Sequence, residues 1–159
     1  MAQRSAARGF TLIEMVVVVA IVGILAAAAH PILALATRRQ NEFALRQNLR
    51  LLRSGIDAYK QAVADGTVAA AADTSGYPPT LHTLVDGVPD AHSPNGRKLY
   101  FLRRLPRDPL ADPALPAEQT WGLRSYDSPP EAPQPGRDVF DVNSLSDGVG
   151  LDGTPYRDW

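Results

Sequence analysis

Residues 9–36 read GFTLIEMVVVVAIVGILAAAAHPILALA, an apolar stretch with one acidic residue, Glu14, near its start. Residues 15–37 carry no formal charge, and as an α-helix they would measure about 34 Å at ~1.5 Å per residue. This length is enough to cross a hydrocarbon core of roughly 30 Å. The sequence therefore predicts one membrane-spanning helix near the N-terminus.

The order of the N-terminal features argues against an ordinary secretory signal. A secretory signal carries its small-residue cleavage site after the apolar core. Here the best small-residue junction, Gly9-Phe10, precedes the core and follows a short stretch that contains Arg4 and Arg8. Cleavage at this junction would leave the apolar helix on the mature protein.

This run resembles the leader of type IV pilins and type II secretion pseudopilins. The resemblance implies cleavage after Gly9 by a prepilin peptidase, N-methylation of Phe10 and a role for the Glu14 carboxylate in assembly. A carboxylate among apolar helices is costly unless it has a partner. The amine of a cut Phe10, in the same chain or in a neighbour, would supply that partner. The alternative is a glutamate that lies at the lipid headgroups without a role.

Pro31 stands where these families commonly carry a helix-kinking proline. Its nitrogen has no hydrogen to bond to the Ala27 carbonyl, so we expect the helix to bend there. The bend is either a tolerated kink or a turn that melts when a subunit leaves the bilayer.

Beyond the membrane span the apolar positions narrow to a stripe at spacings of three and four. Its members are Leu45, Leu49, Leu52, Ile56, Tyr59 and Val63. This pattern predicts that residues 10–65 form one long helix, which Gly66 ends. The pairs Glu42–Arg46 and Arg53–Asp57 are four residues apart, and we expect them on solvated faces.

The second half of the chain is rich in turns, since 13 of the 14 prolines lie at or after Pro78. The best strand candidates are residues 120–126 and 139–144, which we expect to pair in antiparallel fashion. The predicted fold class is α+β and type IV pilin-like. A long N-terminal helix, transmembrane in its first half, packs on a small antiparallel sheet with a loop-rich C-terminal region.

Four segments follow from these patterns and the resemblance. They are a cleaved leader (1–9), the transmembrane and assembly half of the helix (10–37), its amphipathic periplasmic half (38–66) and a globular periplasmic domain (67–159). The N-terminus would lie in the cytoplasm of a single-pass protein of the bacterial inner membrane.

The globular half is similar to the major type II secretion pseudopilins. The similar segments are GYP at 76–78, LRRLPRDP at 102–109, DVNSLSDG at 141–148 and Trp159. The resemblance implies a structural subunit of a periplasmic pseudopilus that drives protein export. Its partners would be further copies of the chain, minor pseudopilins, an inner-membrane assembly platform and the prepilin peptidase. The alternatives are a minor pseudopilin, a type IV pilus subunit for adhesion, motility or DNA uptake, and a membrane-anchored binding module.

A calcium site is the predicted cofactor site. The chain has no cysteine, so a disulfide cannot stabilise its small domain, and a metal is one substitute. Asp141, Asp147 and Asp152, together with Ser144 and backbone carbonyl groups of a glycine-rich loop, offer the hard oxygen ligands that Ca²⁺ prefers. The resemblance to major pseudopilins implies such a site in this terminal loop. The alternative is that these are ordinary aspartate-glycine turns.

Other function classes find little support in the sequence. The net charge is −1, which does not favour a nucleic-acid partner, although residues 1–53 carry +5 and residues 127–159 carry −5. These opposite charges are either solvated faces or surfaces that attract when subunits stack. The chain lacks a Gly-x-Ser-x-Gly elbow, a P-loop and a dinucleotide fingerprint. His30 lies in the predicted membrane helix, and His82 and His92 are not at zinc-ligand spacing with a third strong ligand. We therefore predict that the protein is not an enzyme.

Overall fold

A long helix dominates the N-terminal part of the chain. The computed structural model describes residues 9–71 and 73–159, except for the side chains of residues 28–31. Helix α1 spans Leu12–Ala64, which confirms the predicted long helix to within two residues at its start and one at its end. The predicted stop is also confirmed, because Gly66 has a φ of 73°, a left-handed conformation that glycine adopts without strain.

The first compact unit of the chain ends at Gln40. The apolar side chains that are described in this unit are exposed in the isolated chain, for example Leu12 at 82%, Val19 at 70% and Ile24 at 70%. The helix is long and apolar enough to cross a membrane. An apolar surface of this extent requires a covering of lipid or of other protein.

The second compact unit, Asn41–Trp159, holds the hydrophobic core. The predicted stripe on α1 is confirmed: five of its members are buried, and Val63 is partly buried against them. The same core includes Trp121, Val139 and Val142 from the C-terminal half. The amphipathic part of α1 therefore packs on the region that contains the predicted strands.

The described residues contain two small antiparallel sheets, where the sequence predicted one. Strands β3 (Trp121–Arg124) and β4 (Asp141–Ser144) form the predicted pair, with Trp121 opposite Ser144. The other elements are α2 (Thr83–Asp86), the paired strands β1 (Val88–Pro89) and β2 (Lys98–Leu99), and 3₁₀ turns at Ala117–Thr120 and Tyr156–Asp158. Long connections between such short elements agree with the high proline content.

Two buried aspartates, Asp108 and Asp138, attach loops to other parts of the domain. Asp108 is 2% exposed and accepts hydrogen bonds from the Leu110 N–H at 2.7 Å and the Ser144 hydroxyl at 2.5 Å. Asp138 is 4% exposed and joins the segment after α1 to the end of β3. Because Ser144 is 36 positions from Asp108 and Ser75 is 63 positions from Asp138, these carboxylates help to fix the loop-rich domain.

Candidate functional site

The predicted cleavage junction lies in non-helical backbone directly before α1. Gly9, Phe10 and Thr11 precede the first helical residue, Leu12, and Phe10 is 75% exposed. The rest of the predicted leader, residues 1–8, lies outside the described residues. An exposed, non-helical segment of this kind can enter the active site of a peptidase.

Glu14 lies in the first turn of α1, and its side chain is exposed in the isolated chain. Its backbone N–H donates a 3.3 Å hydrogen bond to the Thr11 hydroxyl, which therefore caps the helix. A threonine followed three residues later by glutamate is the sequence pattern of a capping box, and a carboxylate at this position also stabilises the positive end of the helix dipole. Sequence analysis missed this local role, although the spacing of Thr11 and Glu14 could have revealed it.

A second group of polar contacts joins α1 to the C-terminal segment, which we define as residues 141–159. Glu42 is 8% exposed, and its Oε1 accepts hydrogen bonds from the Tyr156 hydroxyl at 2.9 Å and the Leu151 N–H at 3.0 Å. The prediction of a solvated position for Glu42 is therefore wrong. Its carboxylate instead accepts hydrogen bonds from one buried and one part-buried donor of the C-terminal segment.

Two arginines of α1 contact the same segment. Arg53 donates from Nε to Asp141 Oδ1 at 2.8 Å, and from its second terminal nitrogen to the carbonyl oxygens of Val142 at 3.0 Å and Trp159 at 2.7 Å. Arg46 forms an ion pair with Asp152, and its guanidinium carbon lies 4.0 Å from the centroid of the Trp159 ring. Both arginines thus contact residues more than eighty positions away along the chain.

Comparison with known proteins identifies the family. The family model of the prokaryotic N-terminal methylation motif matches residues 4–29. The type II secretion system core protein G of Klebsiella michiganensis is 32% identical over 111 residues, which cover 67% of this chain and 70% of the relative. The chain belongs to the core protein G family. The protein of the same name from Klebsiella pneumoniae is 35% identical over 107 residues, which cover 64% of this chain and 68% of the relative.

Membership in the core protein G family confirms the resemblance that the N-terminal run and the globular segments indicated. No solved structure matches the chain significantly. The methylation motif covers Gly9, Phe10 and Glu14, but their individual roles stay predictions. The kink at Pro31 also stays a prediction, since the side chain of this residue lies outside the described part of α1.

The three predicted calcium ligands of this chain, Asp141, Asp147 and Asp152, do not form a common site. Asp141 and Asp152 each pair with an arginine, and Asp147 is exposed. A hydrogen bond from the Thr154 N–H, together with the Arg46 guanidinium, holds the pKa of Asp152 below its usual value.

Across residues 9–71 and 73–159, no group of three or more histidine, cysteine, aspartate or glutamate side chains is placed to hold a metal ion. The predicted set of three carboxylates therefore does not fit calcium in this arrangement. Calcium binding by the chain itself stays a prediction.

Proposed function

We propose that this chain is a major pseudopilin, a structural subunit of a periplasmic pseudopilus that polymerises to drive protein export through a type II secretion system. The observation that carries the proposal is the methylation motif at residues 4–29, continuous with a membrane-length apolar helix, in a chain that belongs to the core protein G family. The subunit acts mechanically, so it needs a surface for self-association in place of a catalytic centre.

The exposed apolar side chains of the first unit supply that surface. Before assembly, lipid covers them in the inner membrane, with the N-terminus in the cytoplasm and the domain Asn41–Trp159 in the periplasm. After assembly, the same side chains pack against the helices of neighbouring copies. Both environments bury the apolar surface from water, so transfer from the bilayer to the filament exchanges one apolar contact for another.

Apolar side chains alone would let neighbouring helices pack at many axial positions. The charge of Glu14 selects one of these positions. Once Gly9 is removed, the amine of Phe10 and the carboxylate of Glu14 are opposite charges four residues apart at the foot of the helix. In an apolar filament core each charge requires a partner. A newly added subunit neutralises its neighbour only at one axial position, and mis-seated subunits leave charges unpaired.

The partners follow from this role. Further copies of the chain form the filament, minor pseudopilins join it, and a prepilin peptidase cuts the precursor. An inner-membrane assembly platform adds subunits at the base, with energy supplied by an assembly ATPase elsewhere, since this chain carries no nucleotide-binding motif. None of these contacts requires an enzymatic activity of the subunit.

Overexpression tests the proposal directly. When the chain is overproduced together with the secretion machinery, we expect filaments that electron microscopy detects and that an antibody to the chain decorates. The control is the same strain without its prepilin peptidase, in which the uncut precursor remains in the membrane and no filaments form. A minor pseudopilin or a membrane-anchored binding module would give no filaments in either strain, and that result would refute the major role.

A further inference from the structure

One face of α1 carries the three side chains that hold the C-terminal segment. Glu42, Arg46 and Arg53 are separated by four and seven residues, which places them along the same side of a helix with 3.6 residues per turn. Each contacts a different part of residues 141–159: the turn around Leu151, the side chain of Asp152 and the strand that begins at Asp141.

The two arginines lie where a cation was predicted. The sequence predicts that Asp141 and Asp152 bind calcium, yet in the structure each carboxylate accepts a hydrogen bond from a guanidinium group. A guanidinium is permanently charged, and it presents several donors in a fixed plane. A divalent cation that approached either aspartate would be repelled by this positive charge and would have to displace it.

The contacts of Glu42, Arg46 and Arg53 contribute unequally to the attachment of the C-terminal segment. The Arg46–Asp152 pair is about half exposed on both sides, and such pairs contribute little by themselves. Arg53 satisfies two backbone carbonyl oxygens in addition to Asp141, and Glu42 satisfies the buried Tyr156 hydroxyl. The Tyr156 hydroxyl that Glu42 accepts from is buried, and the partners of Arg53 are part-buried. Loss of these charge-assisted hydrogen bonds therefore costs more than loss of the exposed Arg46 pair.

We propose that α1 holds the C-terminal segment with its own side chains, the guanidinium groups of Arg53 and Arg46 taking the place of a metal ion at Asp141 and Asp152. The segment then stays folded without calcium. The carboxylate of Glu42 completes the attachment by accepting hydrogen bonds from the Leu151 N–H and the Tyr156 hydroxyl. The globular domain of this subunit would therefore assemble equally well in calcium-poor and calcium-rich surroundings.

Hydrogen exchange of the full-length protein in detergent, followed by mass spectrometry of the C-terminal peptide, tests the proposal. Several amides of this peptide are hydrogen-bonded within the segment, such as Tyr156 N–H to the Gly148 carbonyl at 3.0 Å. We expect the same exchange rate with calcium chloride and with EDTA. Faster exchange of the wild type in EDTA, reversed by calcium, would overturn the proposal and establish a metal site.

Substitutions on α1 distinguish loss of the contacts that hold the C-terminal segment from a general effect of removing an arginine from the helix. We expect Arg53→Ala to raise exchange of the C-terminal peptide by about tenfold, with no rescue by calcium. Arg50→Ala is the matched control, because Arg50 is exposed on the same helix and none of the contacts described above involves it. Equal exchange in the Arg53 and Arg50 variants would contradict the proposal.

A milder variant guards against unfolding of the whole domain. Because the Arg46 pair is exposed, Arg46→Ala should leave the core intact and raise exchange only around Asp152 and Trp159, by about threefold. Exchange of the buried helix amides near Leu49 serves as the internal standard for global folding. Unchanged exchange of the C-terminal peptide in this variant would count against the role of Arg46.

Discussion

Replacing Glu14 with alanine is expected to abolish filament formation while leaving cleavage after Gly9 intact. In the assembled state the substitution leaves the amine of Phe10 without its carboxylate partner in an apolar environment. An unpaired charge at the centre of a membrane helix costs about 3 kcal/mol on insertion scales, and this is the upper limit for a charge at the foot of the helix. Subunit addition would then be weakened by up to about a hundredfold. Filament yield by electron microscopy and the size of the processed chain on a gel measure the two effects separately.

Two further variants separate the charge of Glu14 from its place in the helix cap. Glu14→Gln keeps the capping-box pattern but removes the charge, so we expect it to fail in assembly as Glu14→Ala does. Thr11→Ala removes the hydroxyl that caps α1 and keeps the charge, at a cost of about 1 kcal/mol to the first turn. Filaments should therefore form from the Thr11 variant. Normal filaments from Glu14→Gln would show that the charge is dispensable.

The largest expected loss of stability in the globular domain follows from Asp138→Ala. This buried carboxylate accepts hydrogen bonds from the Ser125 hydroxyl at 2.9 Å, the Tyr126 N–H at 2.8 Å and the Ser75 hydroxyl at 2.5 Å. Alanine leaves these donors without an acceptor, which should lower the free energy of unfolding by about 3 kcal/mol. Thermal or denaturant unfolding of the full-length protein in detergent, followed by circular dichroism, measures the change.

The effect of Asp138 depends on pH in a defined direction. Burial by itself raises the pKa of Asp138, but the hydrogen bonds from Ser75, Tyr126 and Ser125 outweigh burial. With a smaller contribution from the charge of Arg137, they hold the pKa below its ordinary value. The ionised form therefore stabilises the folded state above the unfolded pKa of about 3.9, and this stabilisation is lost as the pH falls through the lower folded pKa.

The difference between wild type and Asp138→Ala should thus be constant near neutral pH and shrink below about pH 4. Asp127→Asn is the matched control, since Asp127 is exposed and pairs with Arg137 only at the surface, at 3.2 Å. This control should change the free energy of unfolding by less than about 0.5 kcal/mol at any pH. A loss in the Asp138 variant no larger than in this control would contradict the role of the buried carboxylate.

The parts of the fold that follow from local pattern were predictable. The uncharged span, the stripe from Leu45 to Val63 and the stop at Gly66 each use residues close in sequence, and the structure places α1 accordingly. Strands β3 and β4 were predictable because residues 120–126 and 139–144 carry aromatic and β-branched side chains, and a proline-rich connection joins them. The two-residue strands β1 and β2 carry no periodicity of their own, so the sequence could not reveal the second sheet.

The polar contacts of the domain were not predictable, because they join residues distant in sequence. Spacing along the helix placed Glu42 and Arg46 in a solvated pair, whereas their partners lie more than a hundred positions away. Composition likewise suggested that Asp141 and Asp152 bind a cation, and it could not show that arginines of α1 are within reach. The partner of a carboxylate is set by the tertiary fold, which brings distant residues together, and the residues next to it in the sequence do not reveal that partner.

The most direct test of the central claim is mass spectrometry of the subunit recovered from the filament fraction. If the chain polymerises as a processed pseudopilin, its first residue is Phe10, carrying one methyl group on its amine. Recovery of a monomeric membrane protein that begins at another residue, with no chain in the filament fraction, would contradict the account.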